Sequence, residues 1–409
     1  MSATPAALLI VDDDPVFARY VRQLLVAVAA EVPCEAQWAD TASKALAELG
    51  QHAYELVLLD YNLPDSDGLR VLAQIRALPA AQQPAVIMLT ASGNETVAVE
   101  AMKRGARDYL TKADLDLLPL TRALQSALAQ KRLADQLAAY SEQTQADLEM
   151  ARQLQQSLLP TDFPHFPRNA APTAVALRFH HRFLPAAALA GDFFSLVELS
   201  RHEVGVFICD VMGHGVRAAL VTALLRGLVD DLAPRSSEPG EFLAAMNRRL
   251  CALIHPAGTP LFATGFYLIV DVAAGELRYA NAGHPRPFHL QPAPGLVERR
   301  HVVPRSGPAL GLAADAAYAT TRCPVTPGDL VLLFTDGLFE VISPDAREDF
   351  GQPRLLDAAR RRLALPPPQL LDGLLAEVRQ FSGEAEFGDD ICLLGVEVLR
   401  TGPDALPAN

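Results

Sequence analysis

No apolar stretch in this chain approaches the roughly 20 residues that a membrane span requires, so no transmembrane segment and no membrane partner is expected. The N-terminus, "MSATPAALLIVDDDP", lacks a basic leading region and meets three aspartates almost at once, which excludes a secretory signal peptide. Cysteine is scarce. Cys34, Cys209, Cys251, Cys323 and Cys392 are odd in number, scattered and without a C-x-x-C pair, which reads as reduced, core-filling thiols in a cytoplasmic protein. Excess positive charge is absent too. The net charge is −13, with −7 over residues 1–120, zero over 121–160 and −6 over 161–409. Neither end is basic and no basic recognition helix is visible, so nucleic-acid binding has no electrostatic support. The single tryptophan, Trp38, is expected in the core with the phenylalanine-rich strands.

What is present is ordinary for a soluble chain: half the residues are apolar and one fifth charged. In residues 1–120, short apolar runs (Leu8–Val11, Leu56–Leu59, Val86–Leu89) alternate with helix-period segments (Val16–Ala29, Thr41–Leu49, Leu69–Ala77, Glu95–Arg104). "RDYL", ending at Leu110, reads as a fifth strand and Asp116 onward as a fifth helix. This fivefold βα pattern predicts a doubly wound five-stranded parallel sheet with its sites at the carboxyl ends of the strands.

From Leu117 to Leu159 there is no glycine, and Pro119 sits where a first helical turn tolerates it. Apolar positions recur every three or four residues, including Leu133, Leu137, Tyr140, Leu148, Leu154 and Leu158. The pattern predicts one long helix over 121–160, either paired as a two-stranded coiled coil or lying as an amphipathic helix on its own domain. Pro160, Pro164, Pro167 and Pro172 end it. Residues 161–400 then bunch strand-like runs (Ala174–Phe183, Val204–Asp210, Phe262–Asp271, Glu276–Ala280, Asp329–Thr335, Ile391–Val398) with helices at 216–232, 239–254, 353–363 and 368–381. That texture predicts an α+β layered sandwich. The tail 401–409 is expected to fray.

In the first region the strands end in "VDDDP", "LLDYNLPDSDG", "MLTAS" and "YLTKAD". They deposit Asp12 and Asp13, Asp60, Thr90 and Lys112 at one sheet edge. Carboxylates from two strand ends suit a hard cation such as Mg²⁺, and a hydroxyl and an ammonium opposite suit phosphate oxygens. This resembles the response-regulator receiver domain. The resemblance implies an Asp60 phospho-acceptor served by a sensor histidine kinase. It also implies Mg²⁺ held by Asp12, Asp13, Asp60 and the carbonyl of Asn62, with Thr90, Tyr109 and Lys112 reading the phosphorylation. Ala113 departs from the family's usual proline and puts the last loop's geometry in question.

In the second region Asp192 ("AGDFFS"), Asp210 ("ICDVMGHG"), Asp336 ("FTDGLFE"), and Asp389 and Asp390 ("FGDDICLL") flank strand-like runs and lie within three residues of a glycine. Asp210 taken alone could simply cap the following helix. A set of aspartates without paired His or Cys favours Mg²⁺ or Mn²⁺ over zinc, and two such ions can activate a shared water for attack on phosphorus. With "ARQLQQSLLP", "YANAGHPRPF" and "ALGL" in the same order, the region resembles the PPM (protein phosphatase 2C-like) family, SpoIIE-like branch. The resemblance implies metal ligation by Asp192, Asp210, Asp336, Asp389 and the carbonyl of Val211, with Asp390 as a further candidate and Asp210 and Asp336 central to catalysis. Ser195 departs where many members carry a second aspartate. Adjacent His180 and His181 point to opposite faces of a strand and cannot share a metal. His214 reads as loop-shaping, and His284 matches the family without a physical role.

Together the two resemblances imply a receiver domain (1–120) joined by the helix to a PPM-type phosphatase domain. Phosphorylation at Asp60 would control dephosphorylation of a phosphoserine or phosphothreonine protein, a STAS-type anti-sigma-factor antagonist. A homodimer through 121–158 is expected. The alternative is a phosphorylation-controlled adaptor with an inactive phosphatase-like domain.

Overall fold

Three nearly wholly buried runs, β1 (Ala6–Val11), β3 (Leu56–Asp60) and β4 (Ala85–Thr90), form the centre of the N-terminal sheet. Strands covered on both faces need no polar alternation, which is why these read as continuous apolar stretches. The computed structural model describes residues 5–91, 95–160, 166–167, 171, 174–254, 261–291, 296–298, 306–345, 348–384 and 387–402. The chain divides into two compact units, Met1–Gln145 and Ala146–Asn409.

In the first unit β2 (Cys34–Ala39) and β5 (Asp108–Thr111) complete a parallel sheet of order β2-β1-β3-β4-β5. Helices α1 (Pro15–Val28) and α5 (Leu117–Leu158) cover one face through Val21, Leu25, Leu120 and Leu124. Helices α2 (Ala42–Gln51), α3 (Gly68–Arg76) and α4 (Glu95–Lys103) cover the other through Ala45, Val71, Leu72 and Ala101. Caps fix the helix starts: Asp14 accepts from Val16 N at 2.8 Å and Asp67 from Arg70 N at 2.8 Å. The strand order reverses about β1, opening a crevice at the carboxyl ends of β1 and β3.

Trp38 corrects the sequence expectation. It is 38% exposed on the edge strand β2, and its indole N–H donates to the Asp12 carbonyl at 2.9 Å. Helix α5 runs unbroken for 42 residues. Its buried positions end at Lys131, and Leu133, Leu137, Tyr140 and Leu154 beyond it are all more than half exposed.

The second unit holds two antiparallel sheets. One has the order β13-β10-β9-β8-β7, built from β7 (Asp192–Glu198), β8 (Glu203–Val211), β9 (Ala263–Asp271), β10 (Glu276–Ala282) and β13 (Thr321–Pro324). The other has the order β12-β11-β14-β15-β6, built from β6 (Leu177–Leu184), β11 (Phe288–Gln291), β12 (Leu296–Glu298), β14 (Leu330–Phe334) and β15 (Ile391–Val398). Phe194, Ile208, Phe266, Leu333 and Leu394 fill the space between the sheets. Helices α6 (Val216–Leu232) and α7 (Pro239–Ile254) cover the first sheet with Leu225, Val229, Phe242 and Met246. Helices α8 (Gly351–Arg360) and α9 (Pro367–Ser382) cover the second with Leu355, Leu371 and Val378. Each fully buried Leu or Phe in these layers contributes about 1.5–3 kcal/mol, so the four layers hold the sheet ends in fixed register. Among the described residues no helix is long and apolar enough to cross a membrane.

Candidate functional sites

At the carboxyl edge of the first sheet, Asp12, Asp13 and Asp60 bring one carboxylate oxygen each to within 4.8 Å of the others. Asp12 is fully buried, Asp60 nearly so and Asp13 exposed, so the trio opens to solvent on one side. Lys112 Nζ reaches Asp12 at 2.7 Å and Asp60 at 2.9 Å and lies 4.6 Å above the Phe17 ring. Burial pushes the Asp60 carboxyl above its usual range, more than Lys112 pulls it down. For Lys112 the order is reversed: burial works against its charge, but the hydrogen bonds to Asp12 and Asp60 prevail and raise it. Thr90 is buried at the end of β4, Tyr109 is 45% exposed on β5, and Asn62 is exposed just past β3. A trio of converging oxygens, one side open, fits a hexacoordinate cation that retains water.

In the second unit the carboxylates collect at one end of the sandwich. Asp192 and Asp210 are directly paired across β7 and β8, so their side chains share a face, the one that looks between the sheets. Thr335, at the end of β14 on the opposite sheet, donates its hydroxyl to Asp192 Oδ2 at 2.6 Å and accepts the Cys392 N–H at 2.9 Å. Asp336 comes directly after it, and Asp389 and Asp390 precede β15 on the neighbouring strand.

Burial raises Asp210 to about 7, with the charges of Asp336, Asp389, Asp390 and Glu340 adding to it. Asp192 is pushed well above its usual range by burial and then by Asp210. Burial first, then Glu340 and Asp389, raises Asp336. Among the described residues no lysine or arginine pairs with any of these five aspartates. Like charges held together in a desolvated corner without a protein counter-ion suit divalent cations. The convergence is looser than in the first unit, since no three of these carboxylates meet the 4.8 Å separation.

Asp390 differs from its neighbours. Oδ1 accepts Ala186 N at 2.8 Å and Oδ2 accepts Gly191 N at 2.6 Å, so both oxygens already brace the segment leading into Asp192. Gly191 must be glycine for that approach: a Cβ there would lie 2.7 Å from the Val211 carbonyl oxygen. Next to Gly191 the segment is also held by Gln155 of α5, which donates to Ala190 O at 2.7 Å and accepts Ala190 N at 3.0 Å.

A family model for the response regulator receiver domain matches residues 8–122, and one for stage II sporulation protein E (SpoIIE) matches residues 200–399. Chemotaxis protein CheY of Bacillus subtilis is 30% identical over 105 residues, 26% of this chain and 83% of that protein. Phosphoserine phosphatase RsbP of Bacillus subtilis is 25% identical over 256 residues, 62% of this chain and 58% of that protein.

The chain is a response-regulator receiver domain joined to a SpoIIE-type PPM phosphatase domain.

The SiaA-PP2C domain of Pseudomonas aeruginosa shares the fold of the second part, with a TM-score of 0.53 at 22% identity, covering 64% of this chain and 99% of that domain. The chain spans 41%, 58% and 55% of three curated relatives that it matches, about half their length.

Two departures from the family patterns have a structural outcome. Ala113 lies in the short 3-10 turn Lys112–Asp114, and Lys112 still reaches both receiver carboxylates. Ser195 is fully buried in β7 on the face away from Asp192, where Arg226 of α6 donates to its hydroxyl at 3.1 Å. Of the histidines, His180 pairs with Glu397 at 2.9 Å while His181 packs against Phe194, 5.5 Å between rings. Exposed His214 comes after Gly213 in the loop before α6. His284 is buried with Nδ1 at 2.8 Å from Thr264 Oγ1, and desolvation drives its imidazole down to about 3, so it is neutral.

Sequence reasoning missed two residues of the SpoIIE-type site. Thr335 fixes Asp192, and Glu340 adds its charge to Asp210 and Asp336. The motif "FTDGLFE" contains both, but neither residue type announces its role without the opposite sheet.

Proposed function

We propose that this chain is a two-component response regulator whose output is a metal-dependent protein serine/threonine phosphatase. The boundaries are a receiver domain over 1–120, a helix over 121–160 and a phosphatase domain over 161–400. The carrying observation is the corner of the sandwich where Asp192, Asp210, Asp336 and Asp389 gather with no lysine or arginine paired to them among the described residues. These carboxylates and the Val211 carbonyl would hold two Mg²⁺ or Mn²⁺ ions, with Asp390 and Thr335 bracing the ligands. Such ions, when bound, activate a water and steady the phosphoryl oxygens for in-line displacement. The side chains' part is to fix ligand positions at the ends of β7, β8 and β14.

In the receiver, Asp60 would accept the phosphoryl group from a histidine kinase, with Mg²⁺ at Asp12, Asp13 and the Asn62 carbonyl. Lys112 would balance the added charge, and Thr90 and Tyr109 would respond to it. The substrate we favour is a phosphorylated STAS-domain anti-sigma-factor antagonist. The kinship with a phosphoserine phosphatase supports this reading. The exposed apolar positions Leu133, Leu137, Tyr140 and Leu154 support pairing of α5 with a second copy through 121–158.

The test is hydrolysis of an activated phosphate ester with Mn²⁺ or Mg²⁺, abolished by chelation and by Asp210→Ala or Asp336→Ala in folded protein. Undiminished turnover in both variants refutes the two-metal assignment. A folded, metal-binding but inert wild type leaves the adaptor reading in its place.

A further inference from the structure

An open cavity of about 640 Å³ beside the acidic corner is lined by Asp336 and Glu340 together with Thr264, His284, Arg286 and Ser306. Arg286 is the unexpected member. It is half-buried, yet no hydrogen bond or ion pair engages its side chain among the described residues. Comparable arginines in the same unit are all paired: Arg182 with Asp372, Arg226 with Asp230, Arg278 with Glu203 and Arg362 with Glu377. A guanidinium partly removed from water and left without an anion is costly unless a ligand supplies one.

The turn that carries Arg286 is braced in advance. Buried Asn281 accepts the His284 N–H at 2.8 Å and donates its amide to the His284 carbonyl at 2.8 Å. Ser306 donates its hydroxyl to Asn281 at 3.0 Å and accepts the Gly283 N–H at 3.0 Å. Gly283 takes φ +75°, a left-handed conformation that a side chain would strain. The His284 ring is tied to Thr264, which is paired with Asp210 across β8 and β9. The turn is therefore fixed to the strand that neighbours the metal-ligand candidate.

We propose that Arg286 binds the substrate's phosphoryl oxygens. This rests on the phosphatase reading above and names a residue that reading does not use. A phosphoserine dianion entering a corner of aspartates meets repulsion, and metal ions offset only the charge of their own ligands. The planar guanidinium offers two parallel N–H donors matched to two phosphate oxygens. Its place beside a braced turn fixes the backbone from which it reaches, so binding costs only the freedom of the side chain itself.

The experiment measures inorganic phosphate binding to the full chain by calorimetry with saturating Mg²⁺, for wild type, Arg286→Ala and Arg286→Lys. It is joined to kcat/KM on p-nitrophenyl phosphate and on a phosphoserine protein. Losing a charge-assisted bidentate contact should weaken phosphate binding about 10- to 100-fold in the alanine variant, and less in the lysine variant, which keeps charge but not the fork. Mg²⁺ affinity should be unchanged, and kcat/KM should fall by similar factors on both substrates. Should the alanine variant misfold, the lysine variant carries the comparison alone. Wild-type phosphate affinity in the folded variants overturns the proposal. So does a loss confined to the phosphoprotein, which would place Arg286 against a carboxylate of the partner instead. Arg286-dependent phosphate binding without turnover in the wild type would retain this site and discard the phosphatase reading.

Discussion

Lys112→Met removes the ammonium that faces two buried carboxylates while keeping most of the aliphatic stem over Phe17. Removing one partner of a buried pair costs about 3–5 kcal/mol, because the other charge stays buried without compensation. Here Lys112 serves two carboxylates at 2.7 and 2.9 Å, which argues for the upper part of that range. Its side chain is 24% exposed, so water screens part of the interaction, and about 2–4 kcal/mol is the expected loss. With a urea slope of about 2 kcal/mol per molar, mid-range for a small domain, the unfolding midpoint of the receiver should drop by about 1–2 M. The assay is specific to this domain. Trp38 is the only tryptophan in the chain, and its indole N–H is bonded to the Asp12 carbonyl, so its fluorescence reports on this corner alone. Millimolar Mg²⁺ should restore most of the loss, since a divalent ion on Asp12, Asp13 and Asp60 replaces the missing positive charge. A midpoint within about 0.3 M of wild type without Mg²⁺, or a deficit that Mg²⁺ leaves untouched, would refute the reasoning.

The second unit and the helix carry expectations of their own. Asp390→Asn leaves either the buried Gly191 N–H or the more exposed Ala186 N–H facing an amide instead of an oxygen, so thermal unfolding should show a stability loss of about 1–3 kcal/mol, whereas exposed Asp389→Asn should cost far less. Equal losses would contradict the bracing role. Thr335→Val strips Asp192 and the Cys392 N–H of one shared partner, and should lower both stability and metal affinity in calorimetry; unchanged metal affinity would separate Thr335 from the site. In α5, a two-residue insertion after Gln143 rotates the downstream half of the helix by about 200°, and a four-residue insertion by about 40° net, at roughly 100° per residue. Regulation should survive the second far better than the first, and equal tolerance, with a monomer in sedimentation, would show that the helix is only a tether.

The parallel sheet was legible because β1, β3 and β4 are covered on both faces and therefore spell continuous apolar runs. β2 was not, because an edge strand exposes alternate residues, and the same exposure is why Trp38 lies outside the core. In the second unit β8, β9 and β15 were visible by length. β11, β12 and β13, at three or four residues, are too short to carry a period, and β7 hides inside the "GDFFS" motif. Asp192, Asp210, Asp336 and Asp389 could be picked out by their glycine-flanked strand ends. The distinct role of Asp390 could not, since its partners Ala186 and Gly191 lie about two hundred residues away in the chain. Arg286 was equally silent. Nothing in "HPRPF" records that, among the described residues, no acid pairs with that guanidinium.

In the proposed function, phosphorylation of Asp60 governs chemistry at the aspartate corner of the other domain. The direct measurement is the rate of phosphate release from a serine-phosphorylated STAS-domain protein with Mn²⁺ or Mg²⁺, with and without beryllofluoride as a phosphoryl mimic, in wild type and Asp60→Asn. The expected result is a metal-dependent rate that the mimic changes in wild type and leaves unaltered in Asp60→Asn, while both proteins keep the same basal turnover. An identical response in the two proteins, or no metal-dependent release from either, would contradict it.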